Sequence, residues 1–312
     1  MGLEVVMVTA AIMAVAATDT DTLVLRARLV GAMVPPQGSA DASQLKQAAA
    51  ELSGSLGANG RWPDVNYNTV GAKGRSWWET GTHLQRAIIL ATAARYERSP
   101  ALASKAELAL QCWCANDFQN SNWWWSWIGT PRAVAKVLLL LPDSVAADML
   151  PLALPILNRS NYSHPGNPNE ATNLVWMSGT RVLVGCLTGN ATEVTEAYRE
   201  MSSTTELDTF GEGLQSDGSY WQHGPQLYSG WGYGAIWTGQ MLFFGSMAAD
   251  TPWEFPAIAT NRVGKMIVDG QRWMTAGASA AMSTPTGSDR RSWSSMRPLP
   301  ARLAVPSHPC RP

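Results

Sequence analysis

The chain has 312 residues, a net charge of −1 at pH 7 and only 15% charged residues. A charge so close to zero provides no electrostatic basis for binding nucleic acid or an anionic membrane. The length suits one large globular domain or two small ones. Fifteen tryptophans are an unusual number, and indole faces at this density indicate a carbohydrate-binding cleft, with a tryptophan-rich core as the simpler alternative.

Residues 1–17 form an apolar segment that is too short to span a bilayer. The segment contains Ala14–Val15–Ala16 near its end, which matches the small-residue cleavage site of a secretory signal peptide. Glu4 and the absence of Lys or Arg at its start are atypical of such peptides. We interpret the segment as a signal peptide and expect a secreted, extracellular protein.

Residues 18–281 alternate helical patterns with loops rich in Gly, Pro and Asn. Apolar residues recur at helical spacing in Thr80–Glu97, and Pro131 favours the first turn of a helix that starts at Thr130. No alternating strand pattern occurs, and no fixed repeat period indicates a solenoid. We predict an all-α domain, an incomplete α/α toroid of paired helices around a cleft. Further helices are predicted at residues 42–53, 101–114, 144–156, 170–187, 191–203, 234–246 and 255–275.

The four cysteines do not have the spacing of a metal site, and they do not imply a disulfide framework. Cys112 and Cys114 are separated by one residue on a predicted helix, so they point to different faces. The residues therefore predict neither a metal nor another cofactor. The other two cysteines are Cys186 and Cys310.

A first block concentrates aromatic side chains at residues 122–132. Four indoles within five residues cannot all face one core, so at least one is expected to be exposed or to line a cleft. The preceding Asn122 can hydrogen-bond to sugar hydroxyls or to a carboxylate. The four are Trp123, Trp124, Trp125 and Trp127.

A second block, residues 221–234, contains four glycines together with His223, Tyr228 and Tyr233. Histidine and tyrosine are side chains that transfer protons, and glycine lets the backbone approach a ligand closely. Upstream, Asp217–Gly218 is a turn signal that places His223 at the end of an element.

Together the two blocks resemble the active-site motifs of the polysaccharide lyases of family 8, which include hyaluronate, chondroitin AC and xanthan lyases. The resemblance covers roughly residues 20 to 280 and implies a helical toroid with a lyase active site. It also implies that Asn173, 50 residues before His223, is a catalytic asparagine. The matching segments are 122–132, 217–219, 222–223 and 233–234.

The resemblance implies β-elimination in an acidic, uronate-containing polysaccharide, a reaction that needs no redox cofactor. Asn173 suits neutralisation of the uronate carboxylate because its amide supplies two donors. Tyr233 is expected to act as base and then acid, which requires nearby positive charge or donors to lower its pKa. His223 is expected to hold the carboxylate or to act as the base for the opposite uronate epimer.

The match around the tyrosine is inexact, since this chain carries one extra residue between His223 and Tyr233. Tyr228 therefore remains an alternative catalytic tyrosine. The family also uses a catalytic arginine further along the chain. Arg290 and Arg291 do not match its motif, so we transfer no role to them.

By the same resemblance, the four tryptophans of the first block form the platform on which the substrate stacks. Trp62, Trp77 and Trp78 line the other wall of the cleft or pack in the core. Arg132 meets an anionic sugar or makes a structural ion pair. His83, on an apolar-leaning helix, is interpreted as a satisfied core histidine.

Two other classes of function fit a helical, tryptophan-rich domain. An inverting glycoside hydrolase uses two carboxylic acids, and Asp64, Glu212 and Asp217 are available. A non-catalytic carbohydrate-binding protein needs only the cleft. The lyase remains our prediction, with an acidic polysaccharide as partner and the protein as a monomer.

After Ala281 the composition changes to Pro, Ser and Arg without periodicity, which is typical of a disordered tail. The family continues at this point with further motifs and a large β-sandwich, neither of which is recognisable here. Codons for Met282–Gly287 read in a shifted frame can encode a sequence closer to that of the family. We hypothesise that residues 282–312 come from a frameshifted or mis-spliced gene, and resequencing the transcript tests this.

Overall fold

The structure is a computed structural model that describes residues 17–69, 78–162, 170–208, 211–276 and 279–280. It is mostly helical. The α-helices are α1 (Asp19–Met33), α2 (Ala40–Ser55), α3 (Thr82–Glu97), α4 (Pro100–Asn116), α5 (Thr130–Leu140), α6 (Asp143–Leu157), α7 (Ala171–Thr188), α8 (Ala191–Ser203), α9 (Tyr233–Ala248) and α10 (Ala257–Lys265).

Short irregular helices and two small hairpins complete the described chain. A π-helix precedes α5 at Trp125–Gly129, and α10 continues into a π-helix at Met266–Gly270 and a 3₁₀-helix at Gln271–Met274. The antiparallel strands are β1 (Gly213–Leu214) with β2 (Tyr220–Trp221), and β3 (Thr275–Ala276) with β4 (Ser279–Ala280).

Polar caps explain where several helices begin. The Thr18 hydroxyl accepts from the Asp21 N–H while the Asp21 carboxylate accepts from the Thr18 N–H, a capping box that starts α1. Ser99 caps α4 directly before Pro100, and Asn190 caps α8. At its end α7 reaches Gly189 at φ +68°, the left-handed conformation typical of a helix C-terminus.

Consecutive helices pack as pairs, α3 with α4, α5 with α6, α7 with α8 and α9 with α10. Across the pairs, α3 contacts α5, α5 contacts α7, and α7 contacts α9, while α1 lies against α5, α7 and α9. These contacts confirm the predicted all-α fold, an incomplete α/α toroid. The site residues lie on the row α5, α7 and α9 and in the loops at its ends.

The core includes tryptophans that the sequence left open between cleft and core. Trp62 is completely buried and Trp78 is 3% exposed, so both pack in the core, while Trp77 lies outside the described residues. His83 is also fully buried. It is the satisfied core histidine that the sequence predicted, with its Nδ1 2.9 Å from the Tyr67 hydroxyl and its Nε2 2.8 Å from the Ala109 carbonyl.

The sequence predicted most of the helices within a few residues of their observed bounds. The helix expected at residues 255–275 is shorter, because α10 ends at Lys265 and is followed by a π-helix and then a 3₁₀-helix. Within the described part of the chain, no helix has the length and apolar character needed to cross a membrane. The predicted signal peptide, except for Ala17, and residues 282–312 lie outside the described residues.

Candidate active site

His223 follows directly after a short hairpin, as the turn signal predicted. The turn between β1 and β2 contains Gly218 at φ +83°, and the Asp217 carboxylate accepts a hydrogen bond of 2.9 Å from the Ser219 N–H. His223 itself has φ +60°, a conformation that few residues other than glycine adopt. Unusual backbone conformations of this kind are often found at functional sites.

A buried glutamine and a carboxylate hold this loop in place. The Glu212 carboxylate accepts hydrogen bonds from the Gln222 side-chain amide and, at 3.0 Å, from the Gly224 N–H. Gln222 is 1% exposed, and its carbonyl oxygen accepts from the Thr172 N–H at 3.4 Å. These hydrogen bonds connect the His223 loop to the start of α7. Sequence reasoning considered Glu212 only as a hydrolase carboxylate and missed this role.

Tyr233 begins α9 and brings its hydroxyl to the imidazole. The distance from the Tyr233 hydroxyl to His223 Nε2 is 3.0 Å, and the two rings lie edge to face with centroids 4.9 Å apart. The Thr172 hydroxyl donates to the Tyr233 carbonyl at 3.1 Å and lies 2.8 Å from the Tyr220 hydroxyl. Thr172 therefore fixes the start of α9 against the start of α7.

Asn173 is the next residue on α7 and is 8% exposed. Its side chain makes no hydrogen bond to any residue that the structure describes, so both amide donors remain available. A buried amide normally finds partners, and an amide without them is suited to a ligand. The structure thus brings Asn173, His223 and Tyr233 to one region, around the first turns of α7 and α9.

Tyr228, the alternative tyrosine, is close to this group without joining its hydrogen bond. Its ring lies 5.2 Å from the Tyr233 ring and 6.5 Å from the His223 ring. Its hydroxyl donates instead to the Gln226 side-chain oxygen at 3.4 Å. The contact with the imidazole favours Tyr233 over Tyr228.

The electrostatic environment of Tyr233 differs from the one expected for a catalytic phenol. Burial raises the pKa of Tyr233, and the nearby Tyr228 and Glu212 raise it further. No cation among the described residues lowers it. Ionisation of this phenol would therefore need positive charge from outside the described residues.

Asn122, Trp123 and Trp124 precede the π-helix before α5, and Trp125 and Trp127 lie within it. The Asn122 side-chain oxygen accepts from the Trp124 N–H at 3.1 Å and so caps this segment. Asn122 is exposed, Trp123 is 38% exposed, and Trp124, Trp125 and Trp127 are partly buried. The indole of Trp125 points towards the core, 5.6 Å from that of Trp78.

Gly129 allows this arrangement of indoles. A Cβ atom at this position would come within 2.7 Å of the Trp124 ring and 2.8 Å of the Trp125 ring. The two rings pack edge to face at 5.1 Å. A side chain at residue 129 would have to displace both.

A tryptophan that sequence reasoning missed connects the two blocks. Trp176 packs edge to face on Trp124 at 5.3 Å and lies 6.0 Å from the Tyr233 ring. It follows Asn173 by three residues, so both project from one face of α7. That spacing is the signal in the sequence that identifies it. The aromatic block and the His223–Tyr233 pair therefore form one continuous site.

The described residues contain no group of three or more histidine, cysteine, aspartate or glutamate side chains placed to hold a metal. Cys112, Cys114 and Cys186 are buried free thiols. Cys310 lies outside the described residues.

Comparison with known families decides the relationship. The profile of polysaccharide lyase family 8, N terminal alpha-helical domain, matches residues 38–278. The chain belongs to polysaccharide lyase family 8. The match spans the aromatic block and the His223–Tyr233 pair, so this family 8 chain carries both blocks inside the helical domain.

Two lyases of known name are similar in sequence. A chondroitinase-AC from Pedobacter heparinus is 26% identical over 215 residues, which is 67% of this chain and 29% of that protein. A hyaluronate lyase from Thermasporomyces composti is 24% identical over 210 residues, 64% of this chain and 26% of that protein. The family 8 chain thus spans less than a third of the length of either relative.

Solved structures share the fold. A chondroitinase AC lyase studied as enzyme–oligosaccharide complexes superposes with a TM-score of 0.69 at 22% identity, over 80% of this chain and 36% of that one. The Streptomyces coelicolor chondroitin AC lyase in complex with chondroitin sulphate gives 0.69 at 21% identity, with the same coverage. A Paenibacillus xanthan lyase gives 0.64 at 20% identity, over 80% and 25% of the respective chains.

Proposed function

We propose that this chain is the helical part of a lyase that cleaves uronate-containing, acidic polysaccharide by β-elimination. The observation that carries the proposal is the 3.0 Å contact between the Tyr233 hydroxyl and His223 Nε2, beside the Asn173 amide. The two relatives act as a chondroitinase and a hyaluronate lyase by name, which supports this substrate class.

In the proposed reaction, Tyr233 as phenolate removes the proton on the carbon next to the uronate carboxylate. The electron pair of that C–H bond moves towards the carboxylate, and the Asn173 amide donors stabilise the charge that accumulates there. Donors fixed in this way are each worth roughly 2.7–4 kcal/mol. The bond to the glycosidic oxygen then breaks as the C=C bond forms, and Tyr233 returns the proton to the leaving oxygen.

His223 acts on this sequence through its contact with the phenol. With the Tyr233 hydroxyl as donor, Nε2 accepts the hydrogen bond and orients the oxygen towards the substrate. In the proposed reaction the exposed His223 ring also contacts the carboxylate. Because burial raises the pKa of Tyr233, ionisation of the phenol additionally requires a cation that the described residues do not supply.

The tryptophan block supplies the proposed substrate platform. The exposed Trp123 and the partly buried Trp124 present indole faces on which sugar rings stack. Trp127 and Asn122 extend the same surface, whereas Trp125 supports it from the core side. Binding to the extended polymer fits an exported, monomeric protein.

A spectroscopic assay tests the function directly. Incubation with hyaluronan or chondroitin should increase ultraviolet absorbance, because elimination creates a C=C bond conjugated to the carboxylate. New reducing ends without this absorbance would identify a hydrolase and overturn the proposal. Heat-denatured protein provides the blank.

The three candidate carboxylates are poorly suited to hydrolysis. Asp64 accepts two hydrogen bonds from Arg86, at 2.7 and 2.6 Å, and these lower its pKa. Hydrogen bonding with Ser219 lowers the pKa of Asp217, and Glu212 is engaged by the His223 loop. An inverting hydrolase requires one acid with a raised pKa, which favours the lyase.

A binding protein without turnover is the second candidate, and it is favoured because no cation among the described residues lowers the pKa of Tyr233. Calorimetry against acidic oligosaccharides, combined with the absorbance assay on the same preparation, separates the two. Heat of binding without absorbance change identifies the binding protein.

A further inference from the structure

Two cations lie one turn apart on α5, immediately after the tryptophan block. Arg132 and Lys136 are separated by four residues, so they project from the same side of the helix. Both side chains are partly buried and keep some access to solvent. Like charges at this spacing destabilise a helix, so the pair has a cost for the fold.

Neither cation has an acidic partner among the residues that the structure describes. The Arg132 guanidinium donates to the Gln240 side-chain oxygen at 2.5 Å, and the Lys136 ammonium has no hydrogen bond or ion pair with the described part of the chain. Five other arginines each form an ion pair with an Asp or Glu side chain. They are Arg26, Arg86, Arg159, Arg181 and Arg199.

The pKa of both cations is lowered. Burial lowers the pKa of Arg132 to about 10. Burial and then the charge of Arg132 lower the pKa of Lys136 to about 7, and Arg132 is the charged group that acts on it. Burying charge without a counterion is unfavourable. An anion from outside the chain would offset that cost for both side chains.

The position of the pair connects it to the candidate active site. Gln240 follows Tyr233 by seven residues on α9, so the two share a face about 10 Å apart along the helix axis. Arg132 lies three residues after Gly129, which packs against the indoles of Trp124 and Trp125. A saccharide that reaches Tyr233 across the tryptophans is therefore close to Arg132.

We infer that Arg132, Lys136 and Gln240 form an anion subsite that binds a carboxylate or sulfate ester on a sugar next to the cleaved residue. The inference rests on the proposed polysaccharide substrate, but it concerns binding and does not require turnover. Arg132 supplies a planar fork of donors for an oxyanion, and Lys136 supplies a second charge one turn away.

Binding measured by calorimetry tests the subsite. Inorganic sulfate and a chondroitin-type oligosaccharide are titrated into the protein at pH 7.5, each in two buffers with different heats of ionisation. Because a bound anion raises the pKa of Lys136, binding should take up protons from the buffer. We expect Lys136→Met to abolish this uptake and to weaken oligosaccharide binding roughly tenfold or more.

Two comparisons make the result specific. Lys265→Met, at an exposed lysine of α10, should change neither the affinity nor the proton uptake. Oligosaccharides with and without sulfate distinguish the ligand. If Lys136→Met loses affinity only for the sulfated oligosaccharide, the subsite binds the sulfate ester. If it loses affinity equally for both, the subsite binds the carboxylate.

Folding gives a readout that does not depend on any ligand. Lys136 is a partly buried cation with no partner among the described residues, so the melting temperature of Lys136→Met should equal or exceed that of the unmodified chain. Wild-type binding without proton uptake, and with the same affinity in Lys136→Met, would overturn the inference. If these results appear while the absorbance assay detects elimination, the subsite is wrong and the lyase function stands.

Discussion

At the scale of single residues, Tyr233 is subject to two opposing influences. His223 Nε2 lies 3.0 Å from its hydroxyl and can hold or receive the proton. Burial, Tyr228 and Glu212 raise its pKa and thereby disfavour the phenolate. Tyr233 can transfer a proton only if the hydrogen bond to His223 favours ionisation of the phenol more strongly than burial, Tyr228 and Glu212 oppose it when substrate is bound.

The first prediction separates the two tyrosines. In an active form of the enzyme, Tyr233→Phe should abolish turnover and leave oligosaccharide affinity within about twofold. In the proposed mechanism the phenol transfers protons, whereas the ring and the tryptophans provide the stacking. Steady-state absorbance assays and calorimetry on the same variant measure both effects. Tyr228→Phe is the matched control and should retain activity; the reverse pattern would assign catalysis to Tyr228.

The second prediction concerns Glu212, which both positions the His223 loop and raises the pKa of Tyr233. Glu212→Ala removes the acceptor for Gly224 and Gln222, so turnover should fall on the order of 10²-fold through misplacement. Glu212→Gln keeps one acceptor and removes the charge that raises the pKa of Tyr233, so the rising, acidic limb of the pH–rate profile should move to lower pH. Identical pH profiles in wild type and Glu212→Gln would contradict the claim that the charge of Glu212 raises the pKa of Tyr233.

At the scale of elements, buried aromatic contacts hold α3 against α4 and the preceding loop. The Tyr67 hydroxyl donates to His83 Nδ1 and accepts from the Trp62 N–H at 3.0 Å, while His83 Nε2–H donates to the Ala109 carbonyl on α4. This arrangement requires a neutral imidazole. Burial accordingly lowers the pKa of His83 to about 4.

The third prediction is a pH dependence of stability that originates at His83. Between pH 4 and 6.5 the unfolded chain binds a proton at this residue and the folded chain does not, so stability falls as pH decreases through that window. The loss is about 3 kcal/mol at most and is fully recovered above the unfolded pKa. Denaturant unfolding of wild type and His83→Gln should differ in slope only within this window. Parallel pH curves would show that His83 is protonated in the fold.

The fourth prediction concerns the π-helix before α5. Gly129→Ala would place a Cβ atom within 2.8 Å of both Trp124 and Trp125, so the indoles must move. We expect a stability loss of about 1–3 kcal/mol and weaker oligosaccharide binding, measured by thermal unfolding and calorimetry. Gly264→Ala is the control, because nothing lies within 4 Å of its Cβ position and alanine favours the helix. A neutral Gly129→Ala would contradict the close packing.

Local signals in the sequence were sufficient for elements with strong periodicity or clear caps. Pro131 and the apolar spacing after it predicted α5, and Ser99–Pro100 predicted the start of α4. The sequence signals did not define α1, whose capping box uses Asp21 where Glu or Gln is usual. They also missed β1 and β2, because two-residue strands are too short to show alternation.

The candidate site was predictable only where a motif named its residues. Asn173, His223 and Tyr233 came from the motif resemblance, and the structure brings them together through Thr172 and Gln222. The helical spacing from Asn173 is a signal for Trp176, whereas the role of Glu212 depends on a contact across the hairpin turn, where it reaches the His223 loop. Spacing along the chain does not encode contacts of that kind.

For the whole molecule, most of the large apolar side chains that are more than half exposed lie on the last helices of the described chain. They are Leu242 at 52%, Ile258 at 59%, Val268 at 51% and Trp273 at 72%, and Leu23 on α1 is 61% exposed. Exposed apolar surface favours association where it is contiguous. The aligned segment accounts for only 29% of the chondroitinase-AC relative.

The last prediction concerns the 312-residue polypeptide as a catalyst. Elimination needs a neutralised carboxylate, a base and positive charge that lowers the phenol pKa. Asn173 suits the first and Tyr233 the second, but burial raises the Tyr233 pKa and no described cation opposes it. Acid–base assistance is worth roughly 10²–10⁴-fold, so activity should be lower by a factor of that order.

Purified protein of this sequence should therefore bind acidic oligosaccharide weakly and release little unsaturated product. The measurement is the absorbance assay at saturating substrate, with Tyr233→Phe as the baseline. A turnover of roughly 1–10³ per second, the usual enzymatic range, would contradict the prediction. It would mean that a cation outside the described residues, such as Arg290 or Arg291, reaches the phenol. Substituting each of these arginines by Gln would then identify the one responsible.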